Sequence, residues 1–506
     1  MIAGCLRQVA RGRPDAPALI DAGGSVSYTE LLAAIARVRS LLQKRQIKPG
    51  DFVWVPLPSG LEAVASFFAC ADLGAVFLAA NPGWHPAELA WLMKHAPPAV
   101  AIVPCGNAGR WGETGLASER MIFPDRDSWF SGADDEDFDP EDCPSDQAVA
   151  CVVTSGSTGR PKIAMRTQAG MAACARSVGE ACGIRPGQSL MATVPVHHSS
   201  GLANNLLMPL LNGVTVLFPE HFEPWAAAAL IERHGVDCLF SSPIFYTLLL
   251  DANVPASMLG SLRVCMCSGA PLASSVREEW RARYQTVVRQ AYGTSETGII
   301  SVQSEDSPIP GCVGRPIRDT EVRILAEDRE QATGEPGEVA VRGPGVVKRF
   351  LGDTEALGVR FWKGYLRTGD RGWTDGEGRL YLTGRLRPWI NSGGVKVDPA
   401  EVQSALSRMS GVRECLVEAE QGPGGMDVVA AVIVPERGLK LTRAEVIQHC
   451  RTSLAEFKIP RVIRFAPSLA TDLTGKTVKN KKTCSLLGVP GSLATDLTGK
   501  TVKPWS

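Results

Sequence analysis

Residues 154–162 read Thr-Ser-Gly-Ser-Thr-Gly-Arg-Pro-Lys. Thr154, Ser155, Ser157 and Thr158 supply hydroxyls, Gly156 and Gly159 supply room, and Lys162 ends the stretch with a positive charge. Such a loop suits an anion. Glycines let the backbone approach a phosphate, hydroxyls and free N–H groups donate to it, and the ammonium neutralises it. It is not a Walker A loop, which needs four residues between its glycines and a Lys-Ser/Thr end. Here two residues separate Gly156 from Gly159, and Pro161 precedes the lysine. A flexible Ser/Gly linker is the competing reading. The short, largely apolar run 147–153 ahead of the loop and the helix-like stretch from Gln168 favour a cradle between a strand and a helix.

The elements around this loop alternate. Residues 27–45 read as an amphipathic helix opened by the capping pair Ser27 and Glu30. Residues 52–56 read as a strand, 61–73 as an apolar helix, 75–79 as a strand, 86–95 as a helix and 99–103 as a strand. Such alternation predicts an α/β fold with a largely parallel sheet. An acidic, turn-rich connection follows at 131–147. A second α/β unit comes next, with strands expected at 189–194, 214–218, 238–241 and 264–267. From about Gly311 the texture becomes β-rich, with strands such as 321–325 and 337–342 joined by Gly/Pro turns. Past Arg385 a small α/β domain is expected, with helices at 399–408 and 443–455 and strands at 414–417 and 428–434.

Bulk properties exclude several classes. The 506 residues suffice for two or more domains and a large core. Lys plus Arg balances Asp plus Glu at 53 each, which predicts no nucleic-acid partner and no anionic membrane surface. The 14 cysteines lack metal-ligand spacing, and Cys265-Met-Cys267 is too close for a CxxC pair. No signal peptide opens the chain, so free thiols in a reducing cytoplasm are expected. No apolar run reaches the roughly 18 residues of a membrane helix; the longest, around 63–80, is broken by Asp72 and Gly74. The segment at 468–479 recurs unchanged at 492–503, an isolated duplication and not a solenoid.

Further motifs follow in order: Pro195-Val-His-His-Ser-Ser-Gly201, Tyr292-Gly-Thr-Ser-Glu-Thr-Gly298, Arg367-Thr-Gly-Asp370, a run from Thr383-Gly-Arg385 to Gly394, and Thr474-Gly-Lys476. With the 154–162 loop, this set resembles the adenylate-forming superfamily of acyl-CoA synthetases, firefly luciferases and peptide-synthetase adenylation domains, over nearly the whole chain. The resemblance implies an acyl-CoA ligase that converts a carboxylic acid and ATP to acyl-AMP and pyrophosphate, then transfers the acyl group to CoA. It implies that the 154–162 loop holds the β- and γ-phosphates, that Thr294 contacts the α-phosphate, and that Glu296 binds Mg²⁺, a cation suited to hard oxygen ligands. By the same resemblance Tyr292 stacks on adenine, Asp370 accepts the two ribose hydroxyls, and Arg385 contacts ribose and phosphate. Gly269, Ala270, Pro271 and Gly293 complete the nucleotide set. Lys476 bridges the substrate carboxylate and the α-phosphate, with Lys500 of the second repeat as a rival. Ala470-Thr471-Asp472 stands where the family usually has Pro-Arg/Leu-Thr.

The resemblance also places His198 between acyl pocket and CoA channel, with a neutral packed histidine as the alternative. Asn204, Ser242 and Gly298 belong to the expected pocket, whose walls fall in 204–208, 241–246, 267–270 and 298–300. These are mixed small and apolar residues, consistent with a bulky cyclic or aromatic acid. No acidic residue stands in the 195–201 segment for an amino group, which argues against an amino acid substrate. Ser392, Gly393 and Gly394 would line the pantetheine tunnel, and Arg387 would sit at the hinge between an N-terminal domain (1–384) and a small mobile C-terminal domain (385–506). Three alternatives stay open: an enzyme performing only one half-reaction, a luciferase-like monooxygenase, and a non-catalytic acyl- or nucleotide-binding protein. The oligomeric state is also open, a homodimer being one option.

Overall fold

The computed structural model describes residues 2–81, 86–104, 111–112, 115–124, 144–155, 161–220, 223–304, 311–351, 361–386, 390–392, 395–397, 399–421, 427–454, 456–469, 494–495 and 501–502. It is an α/β protein, as expected. The helix Tyr28–Lys44 starts at the Ser27 cap, where Ser27 Oγ accepts from Glu30 N–H and the Glu30 carboxylate accepts from Ser27 N–H at 2.7 Å. The helix Leu61–Leu73 is buried almost all round and ends at Gly74 in the left-handed conformation, φ 66°. Asp72 inside it is buried and paired with Arg7 at 2.9 Å and Arg39 at 3.4 Å. Among the described residues no helix is long and apolar enough to cross a membrane. The helix Ile2–Gly12, which inserts Ile2, Leu6 and Ala10 into the core, was not legible because three arginines and a glutamine crowd residues 7–13.

Two sheets carry the large part of the chain. One has seven strands, with Ala148–Ser155 beside Val76–Leu78 on one edge and Pro161–Thr167 on the other. Phe52–Trp54, Val76–Leu78 and Pro98–Ile102 pair in parallel, as the alternation predicts. Pro161–Thr167 runs antiparallel to Ala148–Ser155, with Thr154 opposite Lys162. This corrects the expected strand-loop-helix order. Residues 156–160 connect a β-hairpin, and the helix Gln168–Cys182 begins only after its second strand, capped by Thr167. Alternating Ile163, Met165 and their partners bury one face of that strand, a pattern obscured by Pro161 and the charges Arg160 and Lys162.

The second sheet runs from an edge at Gly24–Ser27 and Pro17–Asp21 into the parallel strands Thr215–Leu217, Ser189–Ala192, Cys238–Ser241, Val264–Cys267 and Val288–Thr294. At Val288–Thr294 the pairing changes hand, since its next neighbour Gly298–Val302 is antiparallel. Hydrogen bonding then continues through Cys312–Pro316 and Leu380–Arg385 to Tyr365–Thr374, Gly337–Arg342 and Glu321–Ala326. The β-rich region is therefore joined edge to edge with the second α/β unit and does not form a separate sheet. Past Arg385 the chain enters another sheet at Ile390–Ser392, which pairs with Val395–Val397 and Asp427–Pro435. Helices Pro399–Ser407 and Arg443–Arg451 cover it over a core of its own, including Val402, Leu406, Val429, Ile433 and Val446. Arg437 of this small unit meets Asp251 of the large one at 3.4 Å.

Candidate active site

The hairpin formed by Val288–Thr294 and Gly298–Val302 builds the centre of the site. Its turn is closed by its own threonines. Thr294 N–H donates to Thr297 Oγ1 at 3.0 Å, Thr297 Oγ1 donates to the Gly298 carbonyl at 2.8 Å, and Glu296 N–H points at Thr294 Oγ1 at 3.3 Å. From outside, Val347 N–H donates to the Glu296 carbonyl at 2.8 Å. Two glycines make this turn possible. A Cβ on Gly293 would overlap the Gly298 carbonyl, and Gly298 sits at φ 67° with Cys174 Sγ 2.9 Å and Arg166 Nη2 3.1 Å from where a Cβ would lie. Thr294 and Glu296 are thus set side by side at the strand end, half-buried.

Asp370 and Arg385 face each other in register across strands Tyr365–Thr374 and Leu380–Arg385. Arg385 Nε donates to Asp370 Oδ1 at 2.7 Å, and Tyr292 Oη donates to Asp370 Oδ2 at 2.6 Å. Asp370 is 6% exposed and Tyr292 8%, whereas the Arg385 side chain is largely open. The Tyr292 ring packs among Ile300, Val313, Val339 and Leu380. Burial, then the Asp370 charge, raise its hydroxyl pKa well above the ordinary value, so it stays a donor. A carboxylate has about four lone-pair sites; two are used here, and two remain for further donors.

A cleft opens from the carboxyl ends of the parallel strands, as open α/β sheets dictate. It is lined by Val178, Cys182, Val194, Ser200, Asn204, Asn205, Phe240, Ser241, Met266, Ser268, Ala291 and Ile299. Each of the four expected wall segments contributes, but Ser242 and Gly298 do not line it. Ser242 is buried beside it, and Gly298 backs onto Arg166 and Cys174. Asn205 is consumed by the backbone, accepting from Val194 N–H at 2.9 Å and donating to the Phe240 carbonyl at 3.1 Å. Ser241 accepts from Thr193 at 2.7 Å. Asn204 is 9% exposed, with no side-chain hydrogen bond to another described residue. None of the lining side chains is charged.

His198 lies in the tight loop before the cleft, its N–H donating to the Pro195 carbonyl at 3.0 Å. Gly201 permits this loop, since a Cβ there would overlap that carbonyl. The His198 ring packs on His197, centroids 4.3 Å apart. Burial pushes the His197 pKa down to about 4, so this ring is neutral at pH 7. Gly269, Ala270 and Pro271 form the loop after Val264–Cys267, with Gly269 at φ 89°. Thr154, Ser155 and Lys162 stand at the connected end of the hairpin, next to residues 156–160, and Ser392 ends its strand in the small sheet. Gly156, Ser157, Thr158, Gly159, Arg387, Gly393, Gly394, Lys476 and Lys500 lie outside the described residues. Arg166, Cys174, Cys182, Ser200 and His197 border the site without having been singled out. Arg166 had one signal, a lone charge between apolar Met165 and the helix cap Thr167.

Two family models match the chain. An AMP-binding enzyme model covers residues 6–351, and an AMP-binding enzyme C-terminal domain model covers 401–476. The chain belongs to the AMP-binding enzyme family. Among its relatives, the feruloyl-CoA synthase of Amycolatopsis is 30% identical over 481 residues, covering 93% of this chain and 96% of that protein. The solved structure of ATP-bound MatB from Rhodopseudomonas palustris is 27% identical with a TM-score of 0.85, covering 94% of this chain and 97% of that one. O-succinylbenzoate CoA synthetase (MenE) from Bacillus subtilis, solved with ATP and magnesium ion, is 26% identical with a TM-score of 0.80, covering 94% and 98%. Within this AMP-binding enzyme the donor set fits a magnesium ion. Among the described residues no group of three or more His, Cys, Asp or Glu is arranged to hold a metal ion. Mg²⁺ does not need one, because it is commonly held by one or two carboxylates plus substrate phosphates.

Proposed function

We propose that this chain is an AMP-forming acid–CoA ligase acting on a neutral-tailed cyclic or aromatic carboxylic acid. The substrate carboxylate attacks the α-phosphorus of ATP, pyrophosphate leaves, and the thiol of CoA then attacks the acyl carbonyl and expels AMP. The observation that carries the reading is the joined pair of devices on one sheet: the Thr294–Glu296 turn and the Tyr292–Asp370–Arg385 triad. The turn offers hydroxyl, amide and carboxylate groups to a phosphate–metal assembly, while Asp370 keeps acceptor capacity for a ribose diol. Glu296 would hold Mg²⁺, which would supply charge to the phosphate oxygens.

Lys162 and the hydroxyls of 154–158 hold the outer phosphates, and Lys476 joins carboxylate to α-phosphate. His198 stands between the cleft and the thiol's approach along Ser392–Gly394. The chain leaves one sheet at Arg385 and enters the next at Ile390, which supports a domain boundary at 384/385 with a hinge at Arg387. The free, mostly buried thiols suit a reducing cytoplasm.

The cleft supports the substrate class. With no charge among its lining residues, it would leave a second carboxylate unpaired, which is expensive. Asn204 can read one hydroxyl or carbonyl on the ring. The curated relatives include a feruloyl-CoA synthase and an indoleacetate–CoA ligase, whose named acyl groups are aromatic. A screen of carboxylic acids for CoA-thioester formation tests this. Phenylpropenoic and arylacetic acids should be used with higher kcat/KM than dicarboxylates or long straight-chain acids. A preference for a dicarboxylate would overturn the assignment.

A further inference from the structure

Arg166 is 3% exposed, yet it carries a guanidinium into the junction between the two large sheets. It stands on strand Pro161–Thr167, the strand that follows residues 156–160. Its Nη1 donates to the Ser295 carbonyl at 3.0 Å, inside the Thr294–Gly298 turn of the other sheet. Its Nη2 lies against Gly298 and leaves no room for a side chain there. Burial depresses its pKa, and the Cys174 and Glu296 side chains are the groups whose charge opposes that.

A buried guanidinium is expensive to desolvate, by several kcal/mol even after relaxation. Packing alone would be served by Leu or Met of similar volume. What those cannot do is hold a carbonyl and an acidic neighbourhood at once.

We infer that Arg166 is a positioning residue, a strut that fixes the Thr294–Glu296 turn relative to the 154–162 hairpin. The two phosphate-binding pieces stand on different sheets. A shift between them of about 1 Å would spoil a triphosphate held by both, while a monophosphate held by the turn alone would tolerate it. Val347 N–H on the Glu296 carbonyl and Arg166 on the Ser295 carbonyl grip successive peptide groups, so removing one leaves the turn attached but free to pivot. The inference rests on the ligase reading above.

The test compares full-length wild type, Arg166→Met and Arg166→Lys. Calorimetric affinities for Mg·ATP and for AMP are measured without acid, and both half-reactions are then followed, pyrophosphate release and CoA-thioester formation from supplied acyl-AMP. Arg166→Met should weaken Mg·ATP binding by roughly 10–100-fold, the range of one lost hydrogen bond to a charged group. It should weaken AMP binding less than threefold or so and spare thioester formation. Arg166→Lys, which keeps the charge and one donor, should recover part of the loss. Equal weakening of Mg·ATP and AMP, or lowered thermal stability with both affinities intact, would overturn the strut. If Arg166→Met is insoluble, Arg166→Lys against wild type decides by the same ratio. A wild type that binds no Mg·ATP would instead overturn the ligase reading.

Discussion

Replacing Asp370 by Asn is the most direct test of nucleotide recognition. The carboxylate accepts from Tyr292 at 2.6 Å and from Arg385 at 2.7 Å, one on each oxygen. Two of its roughly four lone-pair sites remain, enough for the 2′- and 3′-hydroxyls of ribose. Asn keeps one acceptor oxygen and turns an NH₂ toward donors. Of four donors converging there, two lose their acceptor and the others lose a charged one. A hydrogen bond to a charged group is worth about 1.5–3 kcal/mol, so losing one from ribose lowers kcat/KM by roughly 10–150-fold. The assay is pyrophosphate release with ATP, 2′-deoxy-ATP and 3′-deoxy-ATP, read as a double-mutant cycle between protein and ligand. Wild type should discriminate against each deoxy analogue by about that factor. Asp370→Asn should be slow with ATP, yet discriminate by only about threefold or less, because the contact is already gone. Full discrimination in the variant would show that the ribose hydroxyls bind elsewhere and that Asp370 serves only Tyr292 and Arg385.

Gly293→Ala should destabilise the protein by about 3 kcal/mol, because the hairpin must open to admit the methyl group, while Gly376→Ala, in open space, should be neutral; urea unfolding measures both. The His197 pKa falls from 6.5 to about 4, so the unfolded chain takes up that proton first. Its stabilisation is complete above about pH 6.5 and is lost as pH falls toward 4; with partial solvent access it amounts to about 2 kcal/mol. Urea midpoints at pH 7.5 and 5 should therefore differ less in His197→Gln than in wild type. Truncation after Cys484 should leave acyl-AMP formation intact, whereas Lys476→Ala should suppress it and spare thioester formation from supplied acyl-AMP. The opposite pattern would move the working lysine to Lys500.

Elements with one dominant local signal were legible. The Ser27–Glu30 pair marked the helix Tyr28–Lys44 at its start, and Gly74 closes Leu61–Leu73 as its sequence position suggests. The buried strands Cys238–Ser241 and Val264–Cys267 read correctly as short apolar runs. The strand Pro161–Thr167 did not, because its first residues answer to the hairpin and its Arg166 to a distant turn. Within the site, motif order picked out Tyr292, Thr294, Glu296, Asp370 and Arg385, and the fold brings Tyr292, Asp370 and Arg385 into hydrogen-bond contact. Residues whose part depends on long-range packing carried no such mark. Arg166 bonds to Ser295, 129 positions away, and Cys182 and Ser200 come together only as lining of the cleft.

The burial of the cysteines bears on what an acyl-AMP could do to its own maker. A mixed anhydride is a general acylating agent, and any thiolate beside it competes with CoA for the acyl group. Ten of the eleven described cysteines are buried. Cys182, which lines the cleft itself, is held up to about 12 by burial, with Arg289 pulling the other way. At pH 7 only about one such thiol in 10⁵ would be ionised. If the cleft holds the acyl group as proposed, the chain keeps a nucleophile's atom at its wall while denying it the charge that would let it react, so that the intermediate would wait for the thiol that enters from outside.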